Sequence, residues 1–162
     1  MKCFNITDID LTLNQHEFEH LVRVDNVFIG SKIISDKQIE LLKSLEVEMV
    51  IDLKGCDETE FDDKTGFDKY GINYTHFPVT DLSKINFTNL QEFAKLVNHT
   101  SGKILVYCAS GNRVGALMAL NACLICGHPK QRSFDFGVKI GMNRESTQNY
   151  IKEVFQKGGF DK

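Results

Sequence analysis

The sequence predicts an α/β fold in which a central, mostly parallel sheet of about four to five strands is flanked by helices. Short apolar, β-branched runs alternate along the chain with longer segments whose apolar residues recur at helical spacing. Strands that alternate with helices are typical of a parallel sheet covered on both faces. The 162 residues contain no repeat or linker, so we expect one domain over 1–162, with an N-terminal segment, 1–25, that the sequence leaves undefined.

The first elements follow from local patterns. Residues 16–24 could form a short helix with one apolar face, and 27–29 reads as a short strand ended by Gly-Ser. Ser35 and Gln38 have the spacing of a capping box, and apolar residues then repeat on one face, which predicts a helix over 36–45.

A buried strand is predicted over 48–53, followed by a polar segment, 54–71. The acids of this segment are Asp57, Glu58, Glu60, Asp62, Asp63 and Asp68. Their spacing is not that of a calcium loop, which favours a solvated loop with a short helix over a metal site. We expect no metal.

The next elements surround the central strand. Residues 73–77 read as a strand and 78–86 as a loop, and a capping box at Thr88 predicts a helix over 88–98. The apolar run 103–107 is the predicted central strand.

The remaining elements are helical. Small and apolar residues predict a helix over 114–126, which Gly127 and a following proline end. A short helix is predicted over 133–140. Asn143 can cap a last helix whose inward face carries Thr147, Tyr150, Ile151, Val154 and Phe155.

The turn between the central strand and the next helix has the features of an anion site. Backbone N–H groups converge at such a turn, and the helix dipole adds positive charge. Cys108 stands at its entrance, where the same field favours a nucleophilic thiolate. Arg113 closes the turn with a planar fork suited to an oxyanion. The residues expected to bind the anion are Ala109, Ser110, Gly111, Asn112 and Arg113. Gly111 is explained either by a positive φ or by a close backbone approach.

Cys108, Ser110, Gly111 and Arg113 resemble the nucleophile loop of cysteine-dependent phosphatases of the protein tyrosine and dual-specificity superfamily. The likeness is strongest to a bacterial branch of phosphatase-like domains, some of them fused to β-lactamase-like hydrolases. It extends through the segments 30–31, 50–53, 76–79 and 136–142. The resemblance implies a protein tyrosine phosphatase-like fold and hydrolysis of a phosphate monoester through a cysteinyl-phosphate on Cys108. It also implies that the substrate is a phosphorylated protein or a small phosphate ester, and that no cofactor is needed.

Ester cleavage also requires a proton for the leaving oxygen. The resembled family often places an aspartate in the loop before the helix that leads to the catalytic strand, and Asp81 occupies that position. The alternative is that Asp81 caps a turn or helix. His76 is a second candidate for the acid, although a histidine before Phe-Pro is more typical of a structural partner at a strand end.

Cys56 follows the strand predicted to neighbour the catalytic one. Some phosphatases of this kind protect the nucleophile by a reversible disulfide to a cysteine in this region. The resemblance therefore suggests Cys56 as a redox partner of Cys108. The alternative is an isolated loop cysteine.

Three departures from the resembled pattern keep two other functions open. Four residues separate Cys108 from Arg113 instead of five, Tyr107 replaces the usual histidine, and Val114 replaces a hydroxyl residue. Six-residue loops are typical of rhodanese-like sulfurtransferases, in which Cys108 would carry a persulfide. A non-catalytic phosphate-binding module is the other alternative.

Composition limits the partners and the compartment. The net charge of −3 and the absence of a long basic run argue against nucleic acid or an anionic membrane as the main partner. No run is long and apolar enough to span a bilayer and residues 1–8 lack a signal-peptide core, so we expect a cytoplasmic protein. Five cysteines at irregular spacing are not typical of a disulfide framework. Cys123 and Cys126 fall in a predicted helix without a second pair to complete a zinc site, so we expect them to be small core residues.

Overall fold

The protein is described by a computed structural model that covers residues 3–13, 16–58, 61–98 and 100–160. One six-stranded sheet runs in the order β1-β2-β3-β6-β4-β5. The strands are β1 (Ile9–Asp10), β2 (Leu21–Val24), β3 (Val27–Gly30), β4 (Val47–Asp52), β5 (Asn73–His76) and β6 (Lys103–Tyr107). The first three pair antiparallel, whereas β3, β6, β4 and β5 are parallel. The predicted α/β fold with a mostly parallel central sheet is confirmed, with six strands in place of the predicted four to five.

Within the described residues, six α-helices connect and cover these strands. They are α1 (Asp36–Ser44), α2 (Asp63–Lys69), α3 (Phe87–Asn98), α4 (Asn112–Leu120), α5 (Lys130–Ile140) and α6 (Glu145–Gln156). The capping box predicted from Ser35 and Gln38 is present at the start of α1. In α3, reciprocal hydrogen bonds between Asn86 and Asn89 close the first turn, so the helix begins one residue before the predicted cap.

The two faces of the sheet carry separate apolar clusters. In β6, Ile104 and Val106 belong to one cluster and Leu105 and Tyr107 to the other, as the alternation of side chains along a strand requires. Cys108 continues this alternation on the face that α3, α4 and α6 cover, so Tyr107 and Cys108 lie on opposite sides of the sheet.

The carboxyl ends of the four parallel strands are level with one another. Tyr107 of β6 is paired with Gly30 of β3 and with Asp52 of β4, and Asp52 is paired with His76 of β5. The loops that follow these strands therefore meet at one edge, which is where open parallel sheets bind ligands.

The helix suggested for 16–24 was wrong, because Leu21–Val24 is strand β2. It pairs along its whole length with β3, and Asp25 and Asn26 form the two-residue turn between them. Backbone pairing with a neighbouring strand overrode the weak apolar face of a possible helix.

The helix predicted over 114–126 begins earlier and changes its pitch. α4 starts at Asn112, and the residues Asn121–Ile125 form a π-helical turn. At this turn the buried amides of Asn98 and Asn121 hydrogen-bond each other at 3.2 Å. This polar pair fixes α3 against the end of α4.

The acidic segment is only partly a solvated loop. It contains a short 3-10 helix, Cys56–Glu58, and the helix α2. Asp63 was expected in solvent but is buried, and its Oδ2 lies 3.0 Å from the ammonium of the equally buried Lys54. A buried carboxylate requires such a partner, so this acid belongs to the core.

Two cysteines are bonded, although the spacing of the five is not typical of a disulfide framework. Cys3 and Cys126 form a disulfide with a Cα–Cα distance of 6.0 Å, so Cys126 is not a free core residue. Cys56, Cys108 and Cys123 are free. Along the described stretches, none of the helices has the length and apolar character needed to cross a bilayer.

Candidate active site

The candidate nucleophile lies at the centre of the sheet edge where the four parallel strands end, which we call the ligand-binding edge. Cys108 follows β6 directly and is 1% exposed. Its Sγ accepts a hydrogen bond from the backbone N–H of Gly111 at 3.2 Å. The sulfur thus receives one backbone donor from the turn that follows it.

The turn itself continues directly into α4. Because the first N–H groups of a helix have no acceptor within the helix, those of Asn112 and Arg113 add to the donors of the turn. Gly111 has φ of 91°, and a Cβ there would lie 2.6 Å from Cδ2 of His20. Both explanations offered for this glycine, a positive φ and a close approach, are therefore correct.

His20 is a part of the site that the sequence analysis missed. Its Nε2 lies 2.7 Å from the carbonyl oxygen of Ile140, so this nitrogen carries the donated hydrogen. Its backbone is tied to Ser31, which is buried, by hydrogen bonds in both directions. The imidazole thus fills the space beside Gly111 and joins the turn to the end of α5.

Arg113 forms a bidentate ion pair with Glu58. Nη1 donates to Oε1 at 2.8 Å and Nη2 to Oε2 at 2.6 Å, while Nη1 also donates to the carbonyl of Val79 at 3.0 Å. The Arg113 side chain is 15% exposed, and its partner Glu58 comes from the acidic segment 54–71. The pair joins the loop after β4, the loop after β5 and the turn after β6.

The charges of this pair support each other. Hydrogen bonds from Arg113 lower the pKa of Glu58, against the opposing effect of burial. Burial disfavours the charged guanidinium, but Glu58 and the sulfur of Cys108 outweigh it, so the pKa of Arg113 is raised. Arg113 is therefore a fixed cation beside the candidate nucleophile.

Asp81 lies in the loop after β5 and caps a short 3-10 helix, Leu82–Lys84. Its Oδ1 accepts from the Ser83 hydroxyl at 2.6 Å and from the Ser83 N–H at 3.0 Å. These hydrogen bonds, the hydroxyl's first, lower the pKa of the carboxyl. The capping alternative is thus observed, while a role as proton donor stays a prediction.

His76 has a structural contact. Its Nε2 lies 2.6 Å from the carbonyl oxygen of Lys54, so the imidazole bridges the ends of β5 and β4. This is the arrangement expected of a structural partner at a strand end.

A buried polar network supports the turn from the other face of the sheet. Tyr107, which replaces the usual histidine, donates to Asp63 Oδ2 at 2.6 Å, and Lys54 binds the same oxygen. Tyr74 donates to Asp52 at 2.6 Å. Burial raises the pKa of Asp63 despite these donors, and burial with nearby Asp52 also raises the pKa of Tyr107. The residue before Cys108 is therefore anchored through its hydroxyl.

The side chain of Asn112 points away from solvent and fixes the neighbouring helix. It is 4% exposed, its Oδ1 accepts from the N–H groups of Asn143 and Arg144, and its Nδ2 donates to Thr147 at 2.9 Å. Its part in anion binding is thus left to its backbone N–H.

The turn opens into a cavity of about 440 Å³. Its wall includes Glu58, Asp81, Ser110, Arg113, Arg144 and Tyr150. The structure thus places the expected residues Arg113 and Asp81 in the wall of one cavity, whereas Cys108 is buried and directly precedes Ala109 of that wall. Arg144 and Tyr150 were not predicted as site residues.

Cys56 is exposed, whereas Cys108 is buried, and both are free thiols. Cys56 belongs to the same 3-10 helix as Glu58, which contacts Arg113. A disulfide between the two cysteines under oxidising conditions stays a prediction. Among the described residues, no group of three or more His, Cys, Asp or Glu side chains could hold a metal ion.

Solved structures of phosphatases share this architecture. A cysteine-to-serine variant of P. aeruginosa TpbA in complex with phosphotyrosine is 15% identical, with a TM-score of 0.67 over 86% of this chain and 89% of that one. The kinase-associated phosphatase KAP, with its catalytic-site cysteine replaced by serine, is 15% identical, with a TM-score of 0.67 over 81% and 86%. A DUF442 protein of Shewanella putrefaciens CN-32 is 20% identical, with a TM-score of 0.62 over 88% and 95%.

No protein-family model and no curated protein sequence matches the chain. At these identities the structural likeness establishes the fold. The chain has the fold of the protein tyrosine and dual-specificity phosphatases, as the sequence predicts.

Proposed function

We propose that this protein is a cysteine-dependent phosphatase that hydrolyses a phosphate monoester. The observation that carries the proposal is the position of Cys108: its sulfur lies beneath the N–H of Gly111 at the ligand-binding edge, beside the fixed cation Arg113. This combination supplies a nucleophile and an oxyanion site at one point.

The donors left on Arg113 support the same chemistry. A guanidinium has five N–H bonds, and Glu58 and Val79 accept three of them, two on Nη1 and one on Nη2. The remaining N–H bonds lie on Nε and Nη2, which form one edge of the planar group. Two parallel donors on one edge match two oxygens of a phosphate.

The reaction follows from these groups. The thiolate of Cys108 attacks phosphorus, the bond between phosphorus and the ester oxygen breaks, and the leaving oxygen takes a proton from Asp81. Water then attacks phosphorus and gives a proton to Asp81, the P–S bond breaks, and the thiolate is restored. The N–H groups of 109–113 and Arg113 stabilise the charge on the phosphoryl oxygens in both steps.

The substrate proposed is a phosphorylated protein or a small phosphate ester. Among the solved structures of this fold, that of TpbA holds phosphotyrosine. The cavity here is open to solvent at Ser110 and Asp81, which suits a side chain presented from a larger molecule as well as a small ester.

One experiment separates this proposal from the two alternatives. The wild-type protein, Cys108→Ser and the control Cys123→Ser are assayed with an aryl phosphate, and separately with thiosulfate and cyanide. We expect phosphate release that Cys108→Ser abolishes and Cys123→Ser retains. Thiocyanate formation without phosphate release would instead identify a sulfurtransferase. Phosphate binding without either reaction would identify a binding module.

A further inference from the structure

Another part of the cavity wall comes from the start of α6. Arg144, Ser146 and Tyr150 line the same cavity as Ser110 and Arg113 of the anion turn. An exposed arginine in the wall of an anion-binding cavity raises the question of what it binds.

The two acidic residues of the cavity wall have partners other than Arg144. Glu58 is paired with Arg113, and Asp81 is held by Ser83. Across the described ranges, no Asp or Glu oxygen lies within ion-pair distance of the Arg144 guanidinium. One cation of this wall is therefore available to an anion from outside.

The position of Arg144 is coupled to the anion turn by a buried amide. Asn112, itself a residue of the turn, accepts from the N–H of Arg144 at 3.0 Å and donates to Thr147 of α6 at 2.9 Å. Because Asn112 is 4% exposed, these hydrogen bonds are shielded from water. The backbone of Arg144 is thereby fixed relative to the phosphate site.

We infer that Arg144 binds a second anionic group of the substrate, so that the preferred substrates are phosphate monoesters with a further negative charge close to the phosphate. This inference rests on the proposed function. The second anion could be the carboxylate of an acidic residue beside a phosphorylated side chain, or a carboxylate or phosphate of a small molecule. Both present the same chemistry to a guanidinium.

The test compares pairs of substrates in which one member carries the second charge and the other does not. Two phosphotyrosine peptides with Glu or Gln next to the phosphotyrosine share one leaving group. A small-molecule pair, 4-carboxyphenyl and 4-carbamoylphenyl phosphate, distinguishes a free ester from a peptide source. The readout is the ratio of kcat/KM for the charged to the neutral member, measured for wild type, Arg144→Gln, Arg144→Lys and the exposed control Arg132→Gln at low ionic strength.

For at least one pair we expect a kcat/KM ratio of about three to five in wild type, because an exposed ion pair strengthens binding by about that factor. The ratio should fall to about one in Arg144→Gln, remain above one in Arg144→Lys, and be unchanged in Arg132→Gln. A wild-type ratio near one for both pairs would overturn the inference. A ratio that persists in Arg144→Gln would also overturn it. If Arg144→Gln lowered kcat/KM equally for both members of a pair, Arg144 would act on the phosphate itself, and the inference would again be wrong.

A binding measurement separates this inference from the proposed function. If wild type releases no phosphate, the proposed function fails, and binding then decides the inference. The affinity for the Glu and the Gln peptide is measured for two proteins: Cys108→Ser, and the double variant that also carries Arg144→Gln. A preference for the Glu peptide that disappears with Arg144→Gln supports it. The inference is overturned if each of the two proteins binds the Glu and the Gln peptide with equal affinity.

Discussion

Glu58 and Arg113 meet end to end, with both carboxylate oxygens on the two terminal nitrogens of the guanidinium at 2.8 and 2.6 Å. The carbonyl of Val79 takes a further N–H of Arg113. Two loops that are distant in sequence thus fix the plane of one side chain. The consequence is that the edge formed by Nε and Nη2 is presented in one orientation before any ligand binds, which reduces the entropy lost on binding.

Removing the charge of Glu58 should therefore weaken catalysis without removing the cation. We expect Glu58→Gln to lower kcat/KM for an aryl phosphate by about tenfold, because a charge-assisted bidentate contact is replaced by a neutral one. The matched control is Asp57→Asn, which removes one negative charge from the same 3-10 helix. Equal effects of the two substitutions would show that only the local charge matters.

The same pair gives a dependence of stability on pH. Because the folded-state pKa of Glu58 is lowered from its ordinary 4.5, the pair stabilises the protein above that pH. This contribution is lost as the pH falls through the folded-state pKa. The difference in Tm between wild type and Glu58→Gln should thus be largest near neutral pH and shrink below about pH 4.5. A difference that stays constant down to acid pH would contradict the ion pair.

Asp81 can be tested without disturbing its capping role, because asparagine also caps helices well. We expect Asp81→Asn to slow hydrolysis of an alkyl phosphate by about 100-fold, and of 4-nitrophenyl phosphate far less, since a good leaving group needs no proton. The acid acts in its protonated form and its pKa is lowered, so wild-type kcat/KM should decline with rising pH across the acidic range. Asp81→Asn should lack this decline.

Ser83→Ala provides the control for that pH profile. It removes the hydroxyl that contributes most to lowering the pKa of Asp81. The declining limb should therefore move to higher pH in this variant. An unmoved limb would assign the titration to another group.

Gly111 should tolerate no side chain, for two separable reasons. Gly111→Ala places a Cβ in the left-handed region, at a cost of about 1–2 kcal/mol, and against His20 at 2.6 Å. Gly127 has φ of 77° with no atom within 4 Å of a Cβ, so Gly127→Ala reports the backbone cost alone. We expect Gly111→Ala to lower the free energy of unfolding by at least about 1 kcal/mol more than Gly127→Ala, measured by urea denaturation.

A double variant assigns that extra loss to His20. In the Gly111→Ala background, His20→Ala should cost less than it does in wild type, because it also removes the clash. Additive effects would mean that the turn relaxes away from the imidazole. In that case the close approach would not explain the glycine.

Local patterns were sufficient for most of the fold. The capping box of Ser35 and Gln38 and the apolar run of β6 act within a few residues, so their structure could be predicted from the sequence. Strand β2 could not be predicted in this way, because its stability comes from pairing with β3. The available signal was the pair Asp25-Asn26 between two apolar runs, which is typical of a two-residue hairpin.

The site likewise has a part that local sequence patterns predict and a part that depends on distant residues. Cys108, Gly111 and Arg113 lie on one turn, so their proximity was readable from the chain. The partner of Arg113 is 55 residues away, and His20 reaches Ile140 across 120 residues. No local pattern predicts such contacts, and the burial of Asp63 depends likewise on the distant Tyr107.

The disulfide between Cys3 and Cys126 should contribute to stability. It ties the N-terminal segment, with its buried Phe4 and Ile6, to the end of the π-helical turn. We expect Cys3→Ser to lower the free energy of unfolding by about 2–4 kcal/mol, and dithiothreitol to lower the Tm of wild type but not of Cys3→Ser. Thiol titration of the unfolded, unreduced protein should find three thiols. Five would contradict the bond.

Cys56 remains the candidate partner for an oxidised Cys108. The 3-10 helix that carries it also carries Glu58, which contacts Arg113, so Cys56 belongs to a segment that touches the anion turn. Peroxide would oxidise the Cys108 thiolate to a sulfenic acid, and the Cys56 thiol would displace water to form the disulfide. We expect peptide mapping after mild peroxide to find the Cys56–Cys108 link, and dithiothreitol to restore activity. In Cys56→Ser the activity should be lost irreversibly, whereas equal recovery of both proteins would show that Cys56 does not protect the nucleophile.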